Sequence, residues 1–173
     1  ITLYGQIILD EFSILKSTDS SGFWGNKMGY QMGIKTKNLF NLIGLDVLAE
    51  YNHVRPFTFS HANSLRNYGN QYESLAHPLG SNFIEFLGRM LYRKNSFYLD
   101  ATYIFARKGE DRDGNNAGGD IYRDYMTRNS NYGHEMLQGV KSKLNYWSLT
   151  LGYVIIPKWG IAMEGKLLKR KYT

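Results

Sequence analysis

Acids and bases fall at regular spacing along this chain. Asp46, Glu50, Glu85, Arg89, Asp100, Glu164 and Lys166 each occupy the polar phase of a segment whose alternate residues are mostly apolar. Carboxylates held close together can trade a proton, so acid–base chemistry is the first reading to weigh. No pattern places a nucleophile or a leaving group beside them. The histidines His53, His61, His77 and His134 form a second set. His61 and His77 could bind a metal with Glu73, but their spacing matches no compact ligand motif. Asp111-Arg-Asp113-Gly-Asn115 has the oxygen-rich character of a calcium loop. An EF-hand needs glycine at the sixth position and an acid at the twelfth, where Asn116 and Tyr122 stand. A looser calcium site near Asp111 and Asp113 competes with a solvated turn. Ser60 precedes His61, yet no nucleophile-elbow pattern surrounds it. The chain reads as a non-enzyme with no metal or cofactor beyond that loose calcium site.

The elements that must position these groups are strands. From Ile43, every second residue is apolar: Ile43, Leu45, Val47, Ala49, Tyr51. Between them stand Asp46, Glu50 and Asn52. Side chains alternate across a strand, so such a segment has one apolar and one polar face. Seven segments read this way, at about residues 2–13, 27–35, 42–54, 83–93, 97–107, 143–155 and 159–170. Most have the ten or so residues of a tilted membrane crossing, whereas strands of soluble proteins are commonly five or six. A spanning helix is excluded, because no run of about 18 apolar residues occurs. The mean hydropathy of −0.41 also argues against a helical membrane protein.

Connections alternate in length. Long polar loops are expected at about 14–26, 55–82 and 108–142, and short turns at 36–41, 94–96 and 156–158. That order is what an outer-membrane β-barrel shows, with short turns inside and long loops outside. Aromatic residues flank both ends of the segments, as interfacial girdles would. The fold class is therefore all-β: an antiparallel transmembrane β-barrel with about seven strands visible. Seven is odd, so residues 1–173 are expected to be a portion of one larger barrel domain of a Gram-negative outer membrane. The chain begins inside an alternating segment, which favours a fragment.

On this reading the apolar face meets lipid and the charges line the lumen. Mixed signs suit a pairing network, with Asp46, Glu50 or Asp100 beside Arg89. The net charge of +6 is scattered. The densest basic run, Lys166-Leu-Leu-Lys-Arg-Lys171, reads as a strand end rather than a nucleic-acid contact.

Asn52 to His61, with Arg55-Pro56, and Leu75-Ala-His-Pro-Leu-Gly-Ser-Asn82 are more distinctive. With the hairpin at about 144–172, these blocks resemble the barrel of Wzi-type capsule-assembly outer-membrane proteins of the Bacteroidota, including RemB-like gliding-motility proteins. The resemblance spans about residues 42–172. It implies a larger barrel that binds or anchors capsular or other surface polysaccharide. Its implied partners are outer-membrane lipid, surface polysaccharide and other outer-membrane proteins, without nucleic acid. The candidate ligand residues are Arg55, His61, Arg66, Tyr68, Tyr72, His77, Arg123 and Tyr125. Tyrosines offer flat faces to sugars, and arginine can grip an acidic sugar with two bonds. The competing placement folds 55–59 and 75–79 inward as a plug. Competing functions are a channel or secretion or gliding-motility component, and a soluble β-sandwich binding module.

Overall fold

The computed structural model describes residues 1–11, 21–71, 73–112 and 114–173. Seven long strands make one sheet: β1 (Thr2–Glu11), β2 (Lys27–Thr36), β3 (Leu45–Val54), β6 (Phe83–Lys94), β7 (Phe97–Glu110), β8 (Val140–Ile156) and β9 (Ile161–Tyr172). A small ladder, β4 (Gly69–Asn70) with β5 (Glu73–Ser74), lies in the connection between β3 and β6. The sheet order is β1-β2-β3-β6-β7-β8-β9, antiparallel throughout. The seven alternating segments thus appear as an open meander rather than a closed barrel. The first strand is described to Glu11, with residues 12 and 13 of its expected span outside the described residues, and the sixth is extended at both ends, covering 17 residues. The expected loop at 14–26 lies partly outside the described residues.

Register places the apolar phases of neighbouring strands side by side. Leu3, Ile34, Ala49, Gly88, Tyr103 and Trp147 form one row across six strands. Leu45, Tyr92, Leu99 and Leu151 form another. Side chains on this face are open: Leu3 is 76% exposed, Ile7 75%, Met163 67% and Leu167 63%. Among the described residues no second layer covers them. The other face carries Glu50, Asn52, Glu85, Asp100 and Glu164.

The buried core sits on the polar face, at the end of the sheet that bears the long connections. Ile8, Gly29, Val54 and Phe83 form a row there. Phe59 and Ile121, from two connections, pack on Val54 and Phe83, with Leu79 and Tyr122 at the margin. Residues 56–60 are buried against the polar face of the sheet, whereas Leu75, Ala76 and Pro78 are exposed, so of the two blocks expected to fold inward only the first is buried.

Tyrosine bridges recur at both sides of the sheet. Tyr4 lies across Gly33 of β2 and its hydroxyl donates to Glu50 Oε2 of β3 at 2.7 Å. Tyr98 lies across Gly152 of β8 and donates to Glu164 of β9. In each case a Cβ on the glycine would overlap the ring, so a bare backbone lets an aromatic side chain reach the second strand over. Gly152→Val is expected to displace Tyr98 and cost about 2 kcal/mol, by overpacking and loss of the bond. A urea-unfolding midpoint equal to that of the unsubstituted protein would refute this role.

Candidate functional site

One cross-strand row underlies a cleft on the polar face, with Gln6, Gln31 and Asn52 in its lining and Glu85 buried at the end of the row. Gln6, Gln31, Asn52 and Glu85 stand opposite one another on β1, β2, β3 and β6. Asn52 Nδ2 donates to Glu50 Oε1 at 3.0 Å and to Glu85 Oε1 at 3.1 Å. Tyr4 completes the chain through Glu50. A continuous string of side-chain bonds therefore crosses the polar face. Both Asn52 and Glu85 are buried. A carboxylate out of water needs such donors, and here it has them.

The connection between β3 and β6 forms the roof. His77 stacks on Phe83, with ring centres 4.4 Å apart, and its Nε2 lies 3.0 Å from Glu85 Oε1. Its Nδ1 accepts from the Leu79 amide at 3.2 Å. That bond assigns Nδ1 as acceptor, so Nε2 carries the proton and donates to Glu85. Tyr68 stacks on Phe59 at 5.8 Å. Between roof and floor is a cavity of about 390 Å³, lined in part by Gln6, Gln31, Asn52, Tyr68, His77 and Phe83. That volume suits a small ligand or a short stretch of a polymer.

Chemically the cleft lining offers amides, an imidazole, phenol hydroxyls and aromatic rings. Its lining contains no serine, threonine, lysine or arginine. The amides of Gln6, Gln31 and Asn52 can exchange bonds with hydroxyls, while Tyr68 and Phe59 present ring surface.

A second cluster joins the strands to the loops. Lys27 is fully buried, and its Nζ lies 3.3 Å from Glu11 Oε2 and 3.6 Å from Asp10 Oδ2. It donates to the Ser60 carbonyl at 2.9 Å and lies 4.3 Å from the Tyr125 ring centre. Tyr125 packs on Trp24 at 4.7 Å, and Arg128 lies over Trp24 at 3.9 Å. His61 Nε2 is 3.4 Å from Asp10 Oδ1. Neither Lys27 nor Trp24 stands out in the sequence, since each reads as an ordinary residue near the start of a strand.

The seven candidate ligand residues that the structure describes therefore do not converge. Tyr68 and His77 line the cleft. His61 and Tyr125 belong to the Lys27 cluster. Arg66 is exposed on a short 3-10 turn, Ser64–Arg66. Arg123 donates to the Asn115 carbonyl at 3.1 Å and lies 4.0 Å from Asp111. Arg55 is half-buried; burial pushes its pKa down, and its Nε has no hydrogen-bond partner among the described residues. Tyr72 lies outside the described residues. The expected arginine grip on an acidic sugar is thus not assembled in the cleft.

Asp111 acts as a loop staple. Its Oδ1 accepts from the amides of Ala117 at 2.7 Å and Gly119 at 3.1 Å, and its Oδ2 from Asp120 at 3.3 Å. The oxygens a calcium ion would require already face N–H donors. Asp113 lies outside the described residues. Among the described residues no group of three or more acidic, histidine or cysteine side chains could hold a metal.

Of the expected charge pairs, Asp100 with Arg89 forms and the other two do not. Arg89 grips Asp100 with two bonds, at 3.0 and 2.5 Å, because β6 and β7 are hydrogen-bonded neighbours. Neither Asp46 nor Glu50 pairs with Arg89. Asp46 accepts from the Asn38 amide at 3.4 Å, and Glu50 serves Tyr4 and Asn52. Glu164 takes the Tyr98 hydroxyl. Lys166 lies on the same face, in a row with Thr150 and Asp100.

Comparison with protein-family models, with curated proteins and with solved structures finds no match.

Proposed function

We propose that this chain is part of an outer-membrane β-barrel that holds surface polysaccharide without chemically altering it. The observation that carries the membrane reading is the open apolar face. It runs in register across seven strands of 10–17 residues. A water-soluble monomer rarely leaves so large an apolar area bare. Lipid would cover it, and the charged face would then point into the lumen. The unpaired outer edges of β1 and β9 would pair with further strands, since bare edges are costly in lipid. The likeness of the 52–61 and 75–82 blocks to Wzi-type capsule-assembly proteins supports the same reading.

The cleft is the proposed ligand seat. Its amides and phenol hydroxyls supply donors and acceptors for sugar hydroxyls, and its rings suit the apolar faces of pyranoses. The loops that fold over the polar face favour a holding role over an open pore.

Asn52→Ala and Tyr68→Ala are each expected to weaken retention of the native surface glycan about tenfold, through one lost bond pair or one lost ring face. Glycan retention by whole cells and by purified protein checks this. Unchanged retention in both variants would sink the assignment. A steady large conductance in planar bilayers would instead favour a channel.

A further inference from the structure

The basic run near the end of the chain has no role in the cleft, and the sheet register explains its placement. Leu167, Lys169 and Lys171 of β9 lie on the apolar face, while Lys166, Leu168 and Arg170 lie on the polar one. Lys169 joins the row of Tyr103 and Trp147, and Lys171 the row of Phe105 and Asn145. The next rows on the same face hold Arg107 with Lys143, and Gly109 with Lys141. Five cations thus gather on one corner of the apolar face, at the end bearing the long connections.

No carboxylate of the seven long strands lies on that face. None of the five makes an ion pair among the described residues. Directly below the patch, Trp147 and Tyr103 are 41% and 44% exposed, and Leu151 and Leu167 continue the apolar surface. The charge is also local. At the opposite end the same face carries Lys94 opposite Phe97, and across β1 to β6 the long-connection end has Ile7, Tyr30, His53 and Ile84. Lysines that merely reach out of lipid into water would be spread around both rims.

We infer that this corner of β7, β8 and β9 binds a phosphorylated glycolipid of the outer leaflet. Its phosphates would meet Arg107, Lys143, Lys169 and Lys171, and its acyl chains would lie along Trp147, Leu151 and Leu167. Lysine and arginine neutralise phosphate, and the adjoining apolar strip demands an amphipathic ligand rather than a soluble anion. The inference rests on the membrane reading above.

The test titrates the protein in non-ionic detergent with a bisphosphorylated, multiply acylated glucosamine disaccharide, and with the same lipid stripped of phosphate. Native mass spectrometry counts bound lipid. The phosphorylated form is expected to bind at least about thirtyfold more tightly, weakening as salt rises. The quadruple variant R107Q/K143Q/K169Q/K171Q is expected to reduce binding to that of the stripped lipid. Inorganic phosphate at equal concentration should not compete. Equal binding of the two lipids by the unsubstituted protein, or undiminished binding by the variant, overturns the inference, as does full competition by inorganic phosphate. Flotation with phosphatidylcholine vesicles separates the two levels. Protein that floats but ignores the phosphates refutes this site alone, whereas protein that does not float refutes the membrane reading and this site with it.

Discussion

Lys27→Met is expected to destabilise the loop layer by about 3 kcal/mol, the order seen when one partner of a buried ion pair is removed. The ammonium is fully buried and faces both Asp10 and Glu11. Methionine matches the stem in length but leaves both carboxylates without their ammonium, beside only the His61 ring at 3.4 Å from Asp10 and 4.0 Å from Glu11. It also removes the donor to the Ser60 carbonyl and the cation over the Tyr125 ring. Glu11 is 41% exposed and can turn to water, so the cost falls mainly on Asp10. Asp10 Oδ2 still accepts the Phe59 amide at 3.0 Å, which limits the loss. The double variant D10N/K27M should therefore regain part of the stability, because it removes the orphaned charge and keeps an acceptor for Phe59. A double-mutant cycle from urea midpoints measures the coupling. If K27M and D10N/K27M unfold at the same midpoint, the charge argument fails and only packing remains.

The strands were legible in the sequence because period-two alternation is a local property. Tyr51 and Asp46 take opposite faces wherever β3 finds its partners. The order of long and short connections added the meander topology. What one strand cannot reveal is its register against the next. Tyr4, Gly33 and Glu50 look unrelated until β1, β2 and β3 are aligned, and the same holds for Tyr98, Gly152 and Glu164. Arg89 had three acids within plausible reach in sequence; register chose Asp100 on the adjacent β7.

The cleft was half legible. His77 belongs to a block whose residue types already suggested a ligand seat, Asn52 opens the other block, and Tyr68 stands between the two among the candidate ligand residues. Glu85 instead read as one member of a charge network, and only strand pairing aligned it with Asn52. The arginines misled for a different reason. Arg66 and Arg123 have the right chemistry, but loop conformation decides whether they converge, and that depends on contacts between residues far apart in sequence. Asp111 illustrates the same point: its composition suggested calcium, whereas the fold turns backbone amides toward it.

The largest structural effect is expected at Asn82, where a single amide ties the connection before β6 to the end of β7 and to the connection between β7 and β8. Its Nδ2 donates to the carbonyls of Gly109 at 3.0 Å, Gln138 at 2.9 Å and Ala117 at 3.3 Å. Its Oδ1 accepts the Leu137 amide at 2.7 Å. The residue is fully buried and holds a left-handed backbone, φ 56°. Asn82→Leu removes every side-chain bond, leaves buried carbonyls and an amide unpaired, and strains the backbone, so a loss of about 4 kcal/mol or more is expected. Asn82→Asp turns a carboxylate toward three carbonyls and should be no better. Asn82→Gly separates the causes, because glycine accepts the positive φ without strain and loses only the bonds. It should fall between the unsubstituted protein and Asn82→Leu. Since Asn82 lies just before Phe83, which carries the His77 ring, loosening it should also open the cleft roof. The strands would survive while the loops become cleavable by protease and glycan retention falls. Loops that stay protease-resistant in Asn82→Leu would show that the connections hold together without this amide.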